Sequence, residues 1–396
     1  MNVCIPYLLF WLTVFSNFDH LSKDIALVSE RNMPVKIIDG SVLEGGGQIL
    51  RLSVAFSCLL EQPILINKIR AGRSNPGLKP QHLADNAPGI QLVKQMCNAT
   101  TNGDRQNSCE LTFQPQTLKM GNFNLNVNSQ TAASIPLMIQ SALPVAIFSN
   151  HNSSITMKGG TDVSFSPSMD YVKNVLFPIY KLFGVHCEAF ITKRGFYPKG
   201  RGEVILTVNP VNEYLKPVEI NNFGAHPSIK GFVFIAGPKH QNNKNNQIVQ
   251  DIATAVKNKL NLSGYHKITI ETEVRDSDGS GGSLVLVADS GTCLIGSSAL
   301  YDMRKSTVNS ITDEACDKLL LDLEVKSCVD PNALDNLIIF MALANGKSRV
   351  KCREITLHSK TAIYIAEQFT DAKFKINKLD DGLNEIICEG IGLKTF

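Results

Sequence analysis

EITLHSKTAIYIAEQF, residues 354–369, runs from a strand-like segment into a helix-like one, with His358 at the junction. The same passage from strand through a short turn into a helix recurs along the chain, and it sets the fold class. At this copy the turn carries chemistry. A histidine at a helix N-terminus tends to stay neutral, because the helix dipole disfavours its cation, and a neutral imidazole is a nucleophile. The same dipole favours a phosphate at that end of the helix. The plain alternative is a histidine that caps its helix and does nothing more.

Working outward, VKIIDGSV leads through EGGG into a helix around QILRLSVAFSCLL, and LINKIRAG is a strand followed by the helix HLADNAPGIQLVKQM. SITMKGGTDV is a strand and loop before the long helix SPSMDYVKNVLFPIYKLFG. There Ser166 is the candidate N-cap, Pro167 stands at the first helical position and Gly184 follows the last turn. Val172, Val175, Leu176, Ile179, Leu182 and Phe183 recur at helical spacing, which predicts a core face. More than one strand separates the helices, so the pattern predicts α+β architecture built from α/β repeats rather than a doubly wound sheet. From about residue 222 to 327 the texture changes. A strand GFVFIAG, a helix QIVQDIATAVKNKL, strands KITIETEVRD and SLVLVADSG, and a helix TVNSITDEACDKLLLDL form a βαββα set of domain size. The expected division is an N-terminal extension 1–32, a main body 33–221 and 328–396, and an inserted domain 222–327.

The net charge is only +3, so any nucleic-acid site must be local. No cysteine pair has zinc-ligand spacing, and most cysteines sit in apolar runs, as expected of a reduced intracellular protein. MNVCIPYLLFWLTVF has signal-peptide length, is short for a membrane span and lacks a basic start. We read residues 1–32 as an upstream extension. The alternative is a signal in residues 1–16 and a secretory-pathway location.

Three constellations carry chemistry. In LEGGGQILR three glycines before a helix expose backbone N–H groups to an anion, and Glu44 and Arg51 bracket them, suited to a metal and a phosphate. The glycine spacing matches neither a Walker loop nor a dinucleotide fingerprint. In IRAGRSNPGLKPQHL, Arg70 and Arg73 stand in a loop stiffened by prolines, and arginine forks hold phosphate bidentately. Lys193, Arg194, Lys199 and Arg201 in TKRGFYPKGRGEV form a basic cluster with interleaved aromatics. That suits a nucleic-acid backbone, or simply an exposed hairpin turn.

DGSVLEGGGQILR, KIRAGRSNPGLKPQHL, KGGTDVSFSPSMDY, RGFYPKGRGEV, LDNLIIFMALANG and TLHSKTAIYIAEQ together resemble the signatures of the RNA 3′-terminal phosphate cyclases, in that family's order and from about residue 33 to the end. The resemblance implies three repeated units, each like the C-terminal domain of translation initiation factor three, with a smaller domain inserted before the last. It implies an enzyme that uses ATP and a divalent metal, Mg2+ or Mn2+, to turn an RNA 3′-phosphate end into a 2′,3′-cyclic phosphate, releasing AMP and diphosphate. His358 matches the nucleophile that takes AMP, and Glu44 the metal-associated glutamate. Arg51, Arg70 and Arg73 match phosphate-binding arginines, with Gln48 and Gln81 nearby. Gln140 matches a nucleotide contact, Pro167 packs on the adenine, and Asp335 stands beside the nucleotide near His358. Asn332 and Asn336 occupy two further nucleotide positions where the family usually has a large ring and a glutamine. Arg201 replaces a glycine. The resemblance also implies a role in RNA processing and a nucleoplasmic location, with no stable membrane association. A non-catalytic relative that acts as a scaffold lacks the histidine and much of the arginine loop, both present here.

Overall fold

The structure, a computed structural model, describes residues 33–79, 88–118, 124–128, 131–277 and 279–395. Gln81 and the leader-like stretch 1–32 lie outside the described residues. A compact unit runs from Lys36 to Phe396. Within it three stretches repeat the order β-α-β-α-β-β. The first comprises β1 (Lys36–Asp39), α1 (Gly47–Leu59), β2 (Ile64–Asn67), α2 (Pro88–Met96), β3 (Thr100–Asn102) and β4 (Leu111–Gln114). The second comprises β5 (Asn124–Asn128), α3 (Ile135–Ala146), β6 (Ser153–Gly159), a helix in three pieces, β7 (His186–Lys193) and β8 (Gly202–Asn209). Those pieces are α4 (Met169–Tyr171), a π turn (Val172–Leu176) and α5 (Phe177–Leu182). The third repeat opens with β9 (Glu219–Ile220) and resumes after an insertion with α8 (Pro331–Leu343), β14 (Lys347–Cys352), α9 (Leu357–Phe369), β15 (Lys373–Lys378) and β16 (Asn384–Glu389).

Each repeat orders its strands first–second–fourth–third. The first two strands pair in parallel through the crossover helix, and the rest pair antiparallel. This is the α+β repeat architecture that the sequence pattern predicts. The strands alternate buried and open positions, as in β6, whose Ser153, Ile155, Met157 and Gly159 face inward. α1 and α8 are apolar nearly all round and are buried accordingly. One hydrophobic core takes side chains from all three repeats. The Phe56 and Phe369 rings stack at 5.5 Å to join α1 to α9, and Tyr180 meets Phe340 at 4.7 Å to join α5 to α8.

The insertion has one strand more than its pattern suggests. It reads β10 (Ser228–Gly237), α6 (Asn242–Leu262), β11 (Ile268–Asp276), β12 (Gly281–Asp289), β13 (Leu294–Tyr301) and α7 (Val308–Glu324). β13, LIGSSALY, is rich in glycine, serine and alanine. These residues have low strand propensity, but pairing to Gly282–Asp289 of β12 overrides it. The insertion also has a core of its own, around Ile235, Ile252, Leu286 and Leu319. α6 begins inside the polar run NNKNNQ, where Asn245 is fully buried.

The helix after β6 departs from expectation in three ways, the first being that Pro167 precedes the helix rather than standing at its first position. Ser168, not Ser166, is its N-cap, accepting from the Tyr171 N–H at 3.2 Å. Leu182 is about half exposed rather than in the core. The π turn explains this: its extra residue rotates the downstream face away from the 3.6-residue period.

Candidate active site

The turn between β1 and α1 brings backbone and carboxylate together. Leu43 and Gly45 both have positive φ, and Glu44 folds its side chain back over Gly46. A Cβ on Gly46 would lie 1.9 Å from Glu44 Oε1, so only glycine permits this pose. The Arg73 guanidinium donates to both Glu44 Oε1 and the Glu44 carbonyl, each at 2.7 Å. The Glu44 N–H donates to the Thr361 hydroxyl of α9 at 3.3 Å. First and third repeats thus meet at Glu44. Glu44 Oε2 is buried and has no hydrogen-bond partner.

Arg51 projects from α1. Its Nε donates to Gln140 Oε1 at 2.6 Å and its Nη2 to Gln48 Oε1 at 3.1 Å. Burial pushes its pKa down to about 10, against the pull of Glu44 and Asp335, so it remains a cation at neutral pH. Gln140 passes the chain on, donating to Asn336 Oδ1 at 3.1 Å, and Asn336 donates to Asp335 Oδ1 at 2.7 Å. Burial pushes the Asp335 carboxyl up to about 7, although the Arg51 charge opposes it. One polar row therefore crosses all three repeats: Gln48 and Arg51 from the first, Gln140 from the second, Asn336 and Asp335 from the third.

His358 is the second residue of α9. Thr356 caps the helix by accepting from the Ser359 N–H at 3.0 Å, and the Leu357 and His358 N–H groups have no intrahelical acceptor. Among the described residues the imidazole makes no hydrogen bond. The residue is exposed, though nearby protein partly desolvates it. That desolvation, with the Arg51 and Arg73 charges, holds its pKa below the ordinary histidine value despite Glu44. The ring is thus kept neutral within electrostatic reach of two arginines and one carboxylate.

The structure brings Glu44, Gln48, Arg51, Arg73, Gln140, Asp335, Asn336 and His358 into one neighbourhood, and Arg70 joins through its charge coupling to Arg73 and Glu44. Arg70 has φ +56° and a buried Nε without a partner. Asn336 spends its amide on the protein, on Gln140, Asp335 and the Asn332 carbonyl. Pro167 directly precedes the Ser168 cap of α4, Asn332 is exposed in the first turn of α8, and these two helix starts are tied where the Tyr171 hydroxyl donates to the Asp330 carboxylate at 2.6 Å. Sequence reasoning missed Asp330, Thr361 and the part Gly46 plays in holding Glu44. The Asp330-Pro331 pair, a cap residue before a proline at the first helical position, could have found the first. Only the fold could have found the other two. Arg194 is a correction: it is buried, ion-paired to Asp162 and Asp170, and does not belong to the exposed basic cluster.

The RNA 3′-terminal phosphate cyclase family profile matches residues 42–376. The chain belongs to the RNA 3′-terminal phosphate cyclase family. It is 38% identical over 367 residues to a probable RNA 3′-terminal phosphate cyclase of Dictyostelium discoideum, covering 89% of this chain and 82% of that one. It is 38% identical to the RNA 3′-terminal phosphate cyclase of Pyrobaculum aerophilum, covering 90% and 98%. With the Drosophila melanogaster cyclase it shares 35%, covering 90% and 96%.

For a family of this chemistry the donor set can be tested against a divalent cation. No group of three carboxylate, histidine or cysteine side chains suited to a metal exists among the described residues. The orphaned Glu44 Oε2 fits the other mode, in which Mg2+ or Mn2+ is held by one carboxylate together with substrate phosphates and water.

Proposed function

We propose that this member of the cyclase family converts an RNA 3′-phosphate end to a 2′,3′-cyclic phosphate at the expense of ATP, through an adenylylated His358. The observation that carries this reading is the neutral, hydrogen-bond-free imidazole at the α9 N-terminus, beside Arg51, Arg73 and Glu44. In the first step a ring nitrogen of His358 attacks the ATP α-phosphorus. An N–P bond forms, the bond to the diphosphate oxygen breaks, and diphosphate leaves. In the second an oxygen of the RNA 3′-phosphate attacks the same phosphorus and frees the histidine. In the third the neighbouring 2′-hydroxyl attacks the RNA phosphorus, losing its proton as AMP departs.

The chain supplies positioning and charge for these steps. Arg51, Arg73 and Arg70 neutralise phosphate oxygens, with Arg51 held in orientation by Gln48 and Gln140. The free Leu357 and His358 N–H groups and the α9 dipole favour an α-phosphate beside the ring. Glu44 would hold the divalent cation, which supplies neutralisation of phosphate charge. Pro167 and Asn332 would border the adenosine, and Gln81 would assist at the phosphates. An RNA-processing role in the nucleoplasm belongs to the same proposal.

The test is incubation with α-labelled ATP and Mg2+ or Mn2+, then acid and alkali treatment. An acid-labile, alkali-stable AMP adduct, absent in His358→Ala, is the expected result. Equal labelling of variant and parent overturns the assignment of the nucleophile.

A further inference from the structure

Two loops of the second repeat display aromatic and basic side chains that the site above does not use. Phe165, between β6 and α4, is fully exposed at 101% and has φ +62°. A bulky residue rarely adopts that left-handed backbone. In the β7–β8 turn, Tyr197 is 81% exposed, Lys199 is exposed, and Arg201 is exposed at φ +60°. Neither loop is loose. The Gly195 carbonyl accepts the Thr161 N–H at 2.8 Å and the Asp162 N–H at 3.3 Å. Buried Arg194 donates to Asp162 at 3.2 Å and Asp170 at 2.8 Å and lies 3.9 Å over the Phe234 ring of β10. Phe196 stacks on the same Phe234. The inward side chains of the hairpin clamp both loops to each other and to the inserted sheet, and the outward ones are held in solvent.

The Phe165 loop is tied to the helix that carries Gln140. The Ser166 hydroxyl, next to Phe165, hydrogen-bonds the Ser134 hydroxyl that caps α3. Gln140, which orients Arg51, follows on the same helix about 9 Å farther along at 1.5 Å per residue.

Packing does not explain an uncovered phenylalanine on a strained backbone, nor an arginine where glycine would carry no strain. We propose that Phe165, Tyr197, Lys199 and Arg201 form a platform for the single-stranded RNA just 5′ of the terminal phosphate. The aromatics stack bases without regard to sequence, and the cations neutralise backbone phosphates. The clamp lowers the ordering entropy lost on binding. A protein partner fits less well, because the exposed rings are interspersed with cations rather than joined in an apolar patch. This proposal rests on the cyclase reading and deepens it.

The test is steady-state cyclisation of a 3′-phosphorylated single-stranded oligoribonucleotide, alongside AMP labelling without RNA. Phe165→Ala and Tyr197→Ala are each expected to raise KM for the oligonucleotide on the order of tenfold. AMP labelling stays unchanged, and Phe165→Trp restores KM. Arg201→Gly, which relieves its backbone strain, should be at least as stable as the parent and yet lower the salt dependence of KM by about 0.7 of a log–log unit. Unchanged KM and salt dependence in all three variants, with a parent that cyclises the RNA, overturns the platform. A parent that cyclises no RNA overturns the cyclase reading instead. Anisotropy binding of the same oligonucleotide then decides the platform: weakened binding by the variants sustains it and equal binding ends it.

Discussion

Glu44 and His358 show how much of the site rests on single positions. Glu44 holds its pose because Gly46 has no side chain, and a methyl there would push the carboxylate aside without touching the core. Gly46→Ala is therefore expected to leave the melting temperature nearly unchanged and to reduce metal-dependent AMP labelling roughly 10- to 100-fold, as small misplacements at reacting centres do. Unaltered labelling over a metal titration would remove Glu44 from the metal role. His358 gives a pH prediction. Its folded pKa lies below the ordinary value of about 6.5, so the ring is neutral at physiological pH. As pH falls, labelling should persist through that ordinary value and decline only below it. An NMR titration of the ATP-free protein checks this, and a midpoint above 6.5 contradicts it.

At the scale of elements, the start of α8 matters most. Asp330 is buried and accepts from the Asn332 and Ala333 N–H groups of its own helix, both at 3.0 Å. It also accepts from the Tyr171 hydroxyl of α4 at 2.6 Å and from the Gly296 N–H of β13 at 2.9 Å. One carboxylate thus caps a helix and ties the second repeat and the inserted sheet to the third repeat. Asp330→Ala leaves four donors without their acceptor, so a loss of roughly 3–5 kcal/mol is expected from summed cap and hydrogen-bond terms. Denaturant unfolding measures it. A loss under about 1 kcal/mol would mean that water replaces the carboxylate. The α8 sequence reads plainly as a helix, and α9 likewise, because their apolar content and caps are local. The π turn before α5 and the strand β13 escape such reading. The first breaks the period that a sequence pattern depends on, and the second owes its conformation to the strand beside it.

At the scale of the molecule, Arg194 joins the inserted sheet to the second repeat. Of its two carboxylate partners Asp162 is buried with it and Asp170 is partly so, and its guanidinium covers Phe234. Arg194→Ala would strand Asp162 and Asp170, and roughly 3–5 kcal/mol of stability should be lost. Hydrogen exchange should show β10 and β12 loosening before the three repeats do, whereas uniform loosening would argue against a local clamp. The sequence by itself determined the repeated α+β plan, the insertion and its approximate place, and the family, and it singled out Glu44, Arg51, Arg73 and His358 as candidates. These are written in local periodicity and in short motifs whose chemistry is carried by residue type. Only the tertiary structure decided which of them meet. Gln140 reaches Arg51 from another repeat, Thr361 holds Glu44 from the far end of the chain, and Arg194 turns inward while Tyr197 and Arg201 turn out. Burial and partnership between residues distant in sequence arise from packing three repeats on one core, and no local stretch encodes them.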